Sequence, residues 1–176
     1  PYSISKVEAE DGLKAISEKY SMEIVIIRPP LIYGKGAKGN FAAILKLLKF
    51  KVPLPIGAIK NKRSYVSVDN LVDLIAVCLD HPEAKNQIFL VSDNEDMATP
   101  ELFFRLAKAG SIKPYIFKFP QVLMYWLFRL SGKLSFYDRL TSSMQVNIDH
   151  TILKLNWKPL FTVNSSLNKC WQSKNN

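Results

Sequence analysis

Cysteine and histidine are scarce, two of each in 176 residues. Cys78 and Cys170 lie far apart, and neither they nor His81 and His150 fall at metal-ligand spacing. The pattern therefore gives no zinc site and no disulfide framework, and it is the usage of a reducing, cytoplasmic compartment. Each histidine lacks a partner in sequence and reads as a surface or helix-end residue, not a catalyst. Long apolar runs are missing too. The longest, Phe119 to Leu130, begins at Pro120 and contains Arg129. It falls short of the roughly 20 residues that cross a bilayer, so no membrane span is expected. It suits a helix packed over the rest of the protein or in a dimer interface better than an interfacial membrane contact, although Met124, Tyr125, Trp126 and Phe128 would serve either. The chain opens on Pro1 in mid-pattern, which reads as a truncated start.

Carboxylates are absent from one long stretch. Between Glu23 and Asp69 no acidic residue occurs, while Arg28, Lys35, Lys38, Lys46, Lys49, Lys51, Lys60, Lys62 and Arg63 do. These nine cations equal the whole net charge of +9, so the excess sits in one segment and points to a polyanionic partner. A nucleic acid is one candidate, because Phe41, Phe50 and Tyr65 interleave with lysines and could stack bases. No nucleic-acid reading motif accompanies them, and the prolines and glycines of the segment fit a loop around a small diphosphate. The expectation is no nucleic acid.

With 48% apolar residues the chain can bury a core. Ser3 to Tyr20 has helical spacing through Ile4, Val7, Leu13 and Ile16. Glu23 to Ile27 is a continuous apolar run, as in a strand buried on both faces of a parallel sheet, ended by Arg28-Pro29-Pro30. The glycine-rich loop Tyr33 to Gly39 leads to a helix from Asn40, taken as its N-cap, to Phe50. Val52 to Gly57 is extended. Ser64 to Val68 reads as a strand, with Asp69 capping a helix to Leu79, and Ile88 to Val91 as another strand. Thr99-Pro100-Glu101 opens a helix with Thr99 as cap. Further helices are expected over Gln121 to Leu130, Asp149 to Leu155 and Val163 to Trp171. This is an α/β pattern, helix-rich toward its end.

Tyr2 and Lys6 stand at i and i+4 and share one helix face. A tyrosine hydroxyl titrates near 10, and a neighbouring ammonium favours the phenolate. Such a pair can exchange a proton with a substrate hydroxyl near neutral pH. The alternative is an ordinary surface contact. Two downstream motifs decide between them: a strand ending in Arg28-Pro29-Pro30-Leu31-Ile32-Tyr33-Gly34, then Arg63-Ser64-Tyr65-Val66-Ser67-Val68-Asp69-Asn70-Leu71-Val72-Asp73. The three motifs in this order resemble the extended short-chain dehydrogenase/reductase family of NAD-dependent nucleotide-sugar epimerases, dehydratases and 4-keto reductases.

That resemblance implies the C-terminal part of a doubly wound Rossmann-type fold plus a mixed, helix-rich substrate-binding domain. Residues 1–34 and 65–82 would belong to the nucleotide-binding part, and residues 35–64 and 83–176 to the sugar-nucleotide part. Tyr2 would be the acid/base, with Lys6 tuning it, and both would touch the cofactor. Pro29 and Pro30 would line the nicotinamide end of NAD or NADP. Leu31, Asn40 and Phe41 would lie in the loop around the substrate, Pro55 along the base, and Arg63 on the diphosphate, with Arg139 as a second arginine. Arginine suits that task because its planar fork grips two phosphate oxygens.

Many epimerases of the family carry asparagine where this chain has Leu31. This departure, with Gly39-Asn40-Phe41 and Leu54-Pro55-Ile56-Gly57, points to a 4-epimerase or 4-keto reductase of surface-polysaccharide precursors such as UDP-N-acetylated 6-deoxy sugars. The family's Gly-x-x-Gly-x-x-Gly turn, which lets backbone approach a pyrophosphate, does not occur here. The 176 residues alone are therefore expected to be inactive, with the cofactor held mainly by a missing N-terminal half. The strand at Glu23 to Ile27 would leave an edge free for self-association into a homo-oligomer. A non-enzymatic relative would have no need of Tyr2 and Lys6.

Overall fold

The computed structural model describes residues 2–37 and 39–172, with Tyr2 and Ser3 described by their backbone alone. The first helix, α1 (Tyr2–Tyr20), ends where Ser21 takes a left-handed φ of 52°, a conformation that cannot continue a right-handed helix. The Ser17 hydroxyl donates to Met22 O at 2.7 Å across the turn. The apolar residues that give α1 its periodicity, Ile4, Val7, Leu13 and Ile16, are 41–60% exposed.

Two parallel ladders come next. Strand β1 (Ile26–Arg28) is paired, Ile26 to Ile88 and Arg28 to Leu90, with a strand at Ile88–Leu90. Pro29 and Pro30 interrupt the chain, and a second strand, β2 (Leu31–Tyr33), pairs with β3 (Tyr65–Ser67). Two expectations need correction here. The apolar run from Glu23 starts its ladder only at Ile26, because the Ile24 N–H is taken by the Asn86 side chain at 3.0 Å, and β1 is half-buried with Arg28 exposed. The expected loop from Leu31 begins as a strand, since after the two prolines the chain leaves the Ile88–Leu90 strand and takes a new partner in β3.

Helix α2 (Asn40–Lys49) is capped by Gly39, at φ 71°, so Asn40 is its first residue and not its cap. Helix α3 (Val68–Asp80) is capped by Ser67, whose hydroxyl accepts the Asn70 N–H. Asp69 sits in the first turn, where its charge favours the helix N-terminus, and accepts Lys169 at 2.7 Å. Strand β4 (Ile88–Leu90) precedes α4 (Thr99–Ala109), whose N-cap is Ala98. Thr99 has another partner: its hydroxyl donates to Leu140 O at 3.0 Å. Helix α5 (Gln121–Leu130) lies where expected, while α6 (Leu134–Thr141) arises in a segment to which the sequence pattern assigns no element. Helices α7 (Asp149–Leu155) and α8 (Val163–Lys169) complete the chain, α8 ending two residues before Trp171.

The β2–β3 ladder separates two cores. Side chains alternate across a strand, so Tyr65 enters one core with Tyr33, Phe41, Leu102 and Leu106. Its neighbour Val66 enters the other with Leu74, Phe89, Ile148 and Trp157. The end of α4 shows how tight the first core is. A Cβ on Gly110 would lie 2.5 Å from the Trp171 ring, and that indole is held by its Nε1 donating to Leu106 O at 2.8 Å. Gly110→Ala is therefore expected to displace Trp171 and lower stability by about 1–3 kcal/mol, read from the denaturant midpoint. An unchanged midpoint would mean that the indole can move freely.

Candidate active site

Helix α1 presents Tyr2 and Lys6 one turn apart at its start. The phenol of Tyr2, the expected acid/base, lies outside the described residues, as does Lys38. The body of α1 is tied to the end of β1 by an ion pair between Glu10 and Arg28. The hydrogen bond from Arg28, aided by its charge, holds the Glu10 carboxyl below its ordinary value. The next residues are Pro29, exposed, and Pro30, half-buried. The helix carrying Tyr2 and Lys6 is thus anchored to the residue just before the expected cofactor-facing prolines, at the carboxyl end of a parallel strand, where open α/β sheets bind ligands.

Leu31 is half-buried and packs on the first core. Two residues on, Tyr33 is wholly buried, and its hydroxyl donates to Asp93 at 2.5 Å. Burial, with the Asp93 charge beside it, pushes the Tyr33 phenol far up, so it stays protonated and its hydrogen serves Asp93. Asp93 also accepts the Ser67 N–H at 3.0 Å and the Asn70 amide at 2.7 Å. Burial raises the Asp93 carboxyl, opposed by the hydrogen bonds from Asn70, Tyr33 and Ser67. Asn70 continues the network to the Phe161 backbone, donating at 2.9 Å and accepting at 2.9 Å. One buried carboxylate therefore joins the end of β2, the β3–α3 junction and the approach to α8.

The glycine loop after Tyr33 turns on positive φ values at Gly34, Gly36 and Gly39. Gly34 is needed for closeness as well, since a Cβ there would meet Val68 at 3.2 Å. Asn40 opens α2 in an exposed position. Phe41, expected beside the diphosphate and base, is wholly buried with its ring 5.9 Å from that of Tyr33. Pro55 is half-buried between two backbone bonds that fix its segment, Leu54 N–H to Tyr115 O at 2.8 Å and Gly57 N–H to Phe117 O at 2.9 Å.

Arg63 and Arg139, 76 residues apart, are brought together. The Arg63 backbone exchanges two bonds with Met97, and its neighbours Lys62 and Ser64 bond Met144. Its guanidinium reaches the end of α6, donating to Arg139 O at 2.6 Å. A cation is favoured there, because the last carbonyls of a helix carry partial negative charge. Asn61 holds the same corner, with its amide nitrogen on Thr99 Oγ1 at 2.9 Å and on the Leu140 and Ser142 carbonyls. Sequence reasoning did not find Asp93, Asn70 or Asn61. Each is an ordinary loop or helix residue in sequence, and its partners lie from 23 to 91 positions away.

For one end of a dinucleotide the described residues offer Lys6 on a helix anchored to β1, and Pro29 and Pro30 just beyond that strand's end. The glycines do not fit the pyrophosphate end, because Gly34, Gly36 and Gly39 lack the required spacing and Gly34 is packed on Val68.

Comparison with known proteins bears on this directly. The model of the NAD dependent epimerase/dehydratase family matches residues 1–92. A UDP-glucose 4-epimerase of Vibrio cholerae is 47% identical over 174 residues, 98% of this chain and 53% of that protein. The chain belongs to the NAD dependent epimerase/dehydratase family. A second member of interest is the N-acetyl-alpha-D-glucosaminyl-diphospho-ditrans,octacis-undecaprenol 4-epimerase of Escherichia coli O157:H7, 30% identical over 57% of this chain and 31% of that protein. Among solved structures, the UDP-glucuronic acid 4-epimerase of Bacillus cereus, in complex with UDP-glucuronic acid and NAD, matches at TM-score 0.74 with 14% identity. It covers 97% of this chain and 51% of that one, and the likeness is one of fold. The chain spans about half the length of the V. cholerae relative. The architecture is α/β with parallel strands, as the family fold requires.

Proposed function

We propose that the whole protein is an NAD- or NADP-dependent enzyme acting at sugar C4 of a UDP-sugar, as a 4-epimerase or 4-keto reductase of surface-polysaccharide precursors. The 47% identity to a UDP-glucose 4-epimerase along nearly all of this chain carries the reading and favours epimerisation. A nicotinamide dinucleotide, when bound, supplies hydride chemistry at that carbon. Tyr2 would hold and return the C4 hydroxyl proton, and Lys6 would keep the phenolate accessible. Pro29 and Pro30 would wall the nicotinamide end. The loop bearing Leu31, Asn40 and Phe41 would close on the substrate, with the Phe41 ring acting from the core as a support and Pro55 beside the base. Arg63, with Arg139 next to it, would meet the diphosphate.

The substrates in the relatives' names share a sugar joined through a diphosphate, and an arginine fork suits that group. Residues 1–34 and 65–82 would serve the cofactor and residues 35–64 and 83–176 the sugar nucleotide, in a homo-oligomer working in the cytoplasm. The 176 residues alone would not hold the dinucleotide.

The test is turnover by the whole protein of UDP-glucose, UDP-N-acetylglucosamine and a 4-keto UDP-sugar, each with NAD and NADPH. Interconversion at C4 is expected. Arg63→Ala is expected to raise KM by about 10- to 100-fold, the loss of a charge-assisted contact worth about 1.5–3 kcal/mol, with a smaller change in kcat. No turnover of any of the three sugars would sink the reading, and an unchanged KM would remove Arg63 from it.

A further inference from the structure

Helix α5 is apolar on both sides, and among the described residues only one side has a partner. Inward, Met124 is buried, Tyr125 stacks edge-on to Tyr137 of α6 at 5.6 Å, and Phe128 packs on Phe136 at 5.7 Å. Outward, Val122, Leu123, Trp126, Leu127 and Leu130 are 50–83% exposed. They are spaced i, i+1, i+4, i+5, i+8 and form one continuous stripe. Ten residues make a face about 15 Å long, and no described helix is long and apolar enough to cross a membrane. This element would lie on a surface rather than span it.

The charges around the stripe say what surface. No carboxylate occurs between Glu101 and Asp138, while Arg105, Lys108, Lys113, Lys118, Arg129 and Lys133 do. Lys118 precedes one end of α5, and Arg129 and Lys133 stand at the other, all three exposed. Arg129 lies over the Trp126 ring, 5.2 Å from its centroid, so a cation and an indole share the rim of the apolar stripe. Tryptophan favours the boundary between headgroups and acyl chains.

Other exposed apolar stripes lack this setting. Helix α1 carries Glu8, Glu10, Asp11 and Glu18, and α3 carries Asp69, Asp73 and Asp80. Neither is free of carboxylates as the α5 stripe is, although α1 also bears Lys6, Lys14 and Lys19. A two-fold contact between copies through α5 is disfavoured as well. Antiparallel pairing would set Lys118 of one copy against Arg129 and Lys133 of the other, with no carboxylate anywhere in that segment to meet them.

We propose that the outer face of α5 docks this protein on an anionic lipid bilayer. Val122, Leu123, Trp126, Leu127 and Leu130 enter the acyl boundary, and Lys118, Arg129 and Lys133 meet lipid phosphates. The proposal is independent of which sugar diphosphate the enzyme uses.

The experiment is flotation of the whole protein with phosphatidylglycerol–phosphatidylcholine vesicles and with phosphatidylcholine alone. Each juxtaposed cation contributes about fivefold to partitioning onto an anionic surface. Binding to the anionic vesicles is therefore expected to exceed that to neutral ones at least tenfold, and to fall with salt. Trp126 fluorescence should shift to the blue on binding, a signal that Trp126→Phe removes. Leu123→Asp with Leu127→Asp, both exposed, should abolish flotation while leaving the melting curve and turnover of a soluble sugar nucleotide unchanged. Absence of flotation, or flotation undiminished in the double variant, overturns the proposal. So does a double variant of smaller size in gel filtration, which would assign the face to a second copy.

Discussion

Tyr2→Phe in the whole protein is expected to lower kcat by about 10²–10⁴-fold, the usual contribution of a positioned general acid or base. Phenylalanine keeps the ring and the helix but cannot carry a proton, so KM for the sugar nucleotide should change little. Lys6→Met provides a second, distinct readout. Without an ammonium one turn away, a phenolate on this helix face loses the charge that would favour it. The rising limb of the pH–rate profile should then move to higher pH, with activity recovered in alkaline buffer. If Tyr2→Phe retained more than a tenth of the activity, another group would have to move the proton. The anchoring of α1 offers an internal control. Glu10 and Arg28 tie the helix to the end of β1, and ion pairs open to solvent are screened and contribute little. Glu10→Gln should therefore cost far less than either change at the pair.

The second large effect is on stability. Asp93→Asn is expected to destabilise the protein by about 2–4 kcal/mol, measured by denaturant unfolding. The Asp93 carboxylate accepts from the Tyr33 hydroxyl, the Ser67 backbone and the Asn70 amide. Every one of these groups donates. An asparagine amide nitrogen would face the Ser67 and Asn70 donors in one orientation and the Tyr33 hydroxyl in the other, where that hydroxyl could accept only by losing the acceptor for its own hydrogen. Tyr33→Phe removes one donor and leaves the carboxylate with the rest, so about 1–2 kcal/mol is expected. The double variant should lose less than the sum, because the two side chains share one bond. Strict additivity would mean that they do not interact. The consequence reaches the candidate site, since Tyr33 ends the strand that leads from Pro30 into the glycine loop and its ring supports Phe41.

Much of this was legible in sequence for a simple reason. Helices α1, α2, α3, α4, α5 and α7 are each marked by a period, a proline or a cluster of apolar residues within one local window. The motifs of the Tyr2–Lys6 helix, the Arg-Pro-Pro turn and the Arg63 segment likewise need only neighbours to be recognised. Caps were harder. Ser67, Gly39 and Ala98 end their helices in place of Asp69, Asn40 and Thr99, because a cap is decided by competition for hydrogen bonds. Asp69 has Lys169 as partner and Thr99 has Leu140, both distant in the chain. Strand β2 was hidden because three residues behind two prolines are strand-like only once Tyr65 to Ser67 lies alongside.

The sequence by itself determined the family and the order of most elements, and it singled out Tyr2, Lys6 and Arg63 as candidates by type and spacing. These depend on residue type and on spacing along the chain. The tertiary structure alone decided that Phe41 supports its loop from the core, that Arg63 reaches the end of α6, and that Asp93 joins three segments. It also decided which side of α5 stays bare. Periodicity states that a helix has an apolar face. Only the fold states what that face meets, because burial is a property of pairs of surfaces brought together from distant parts of the chain.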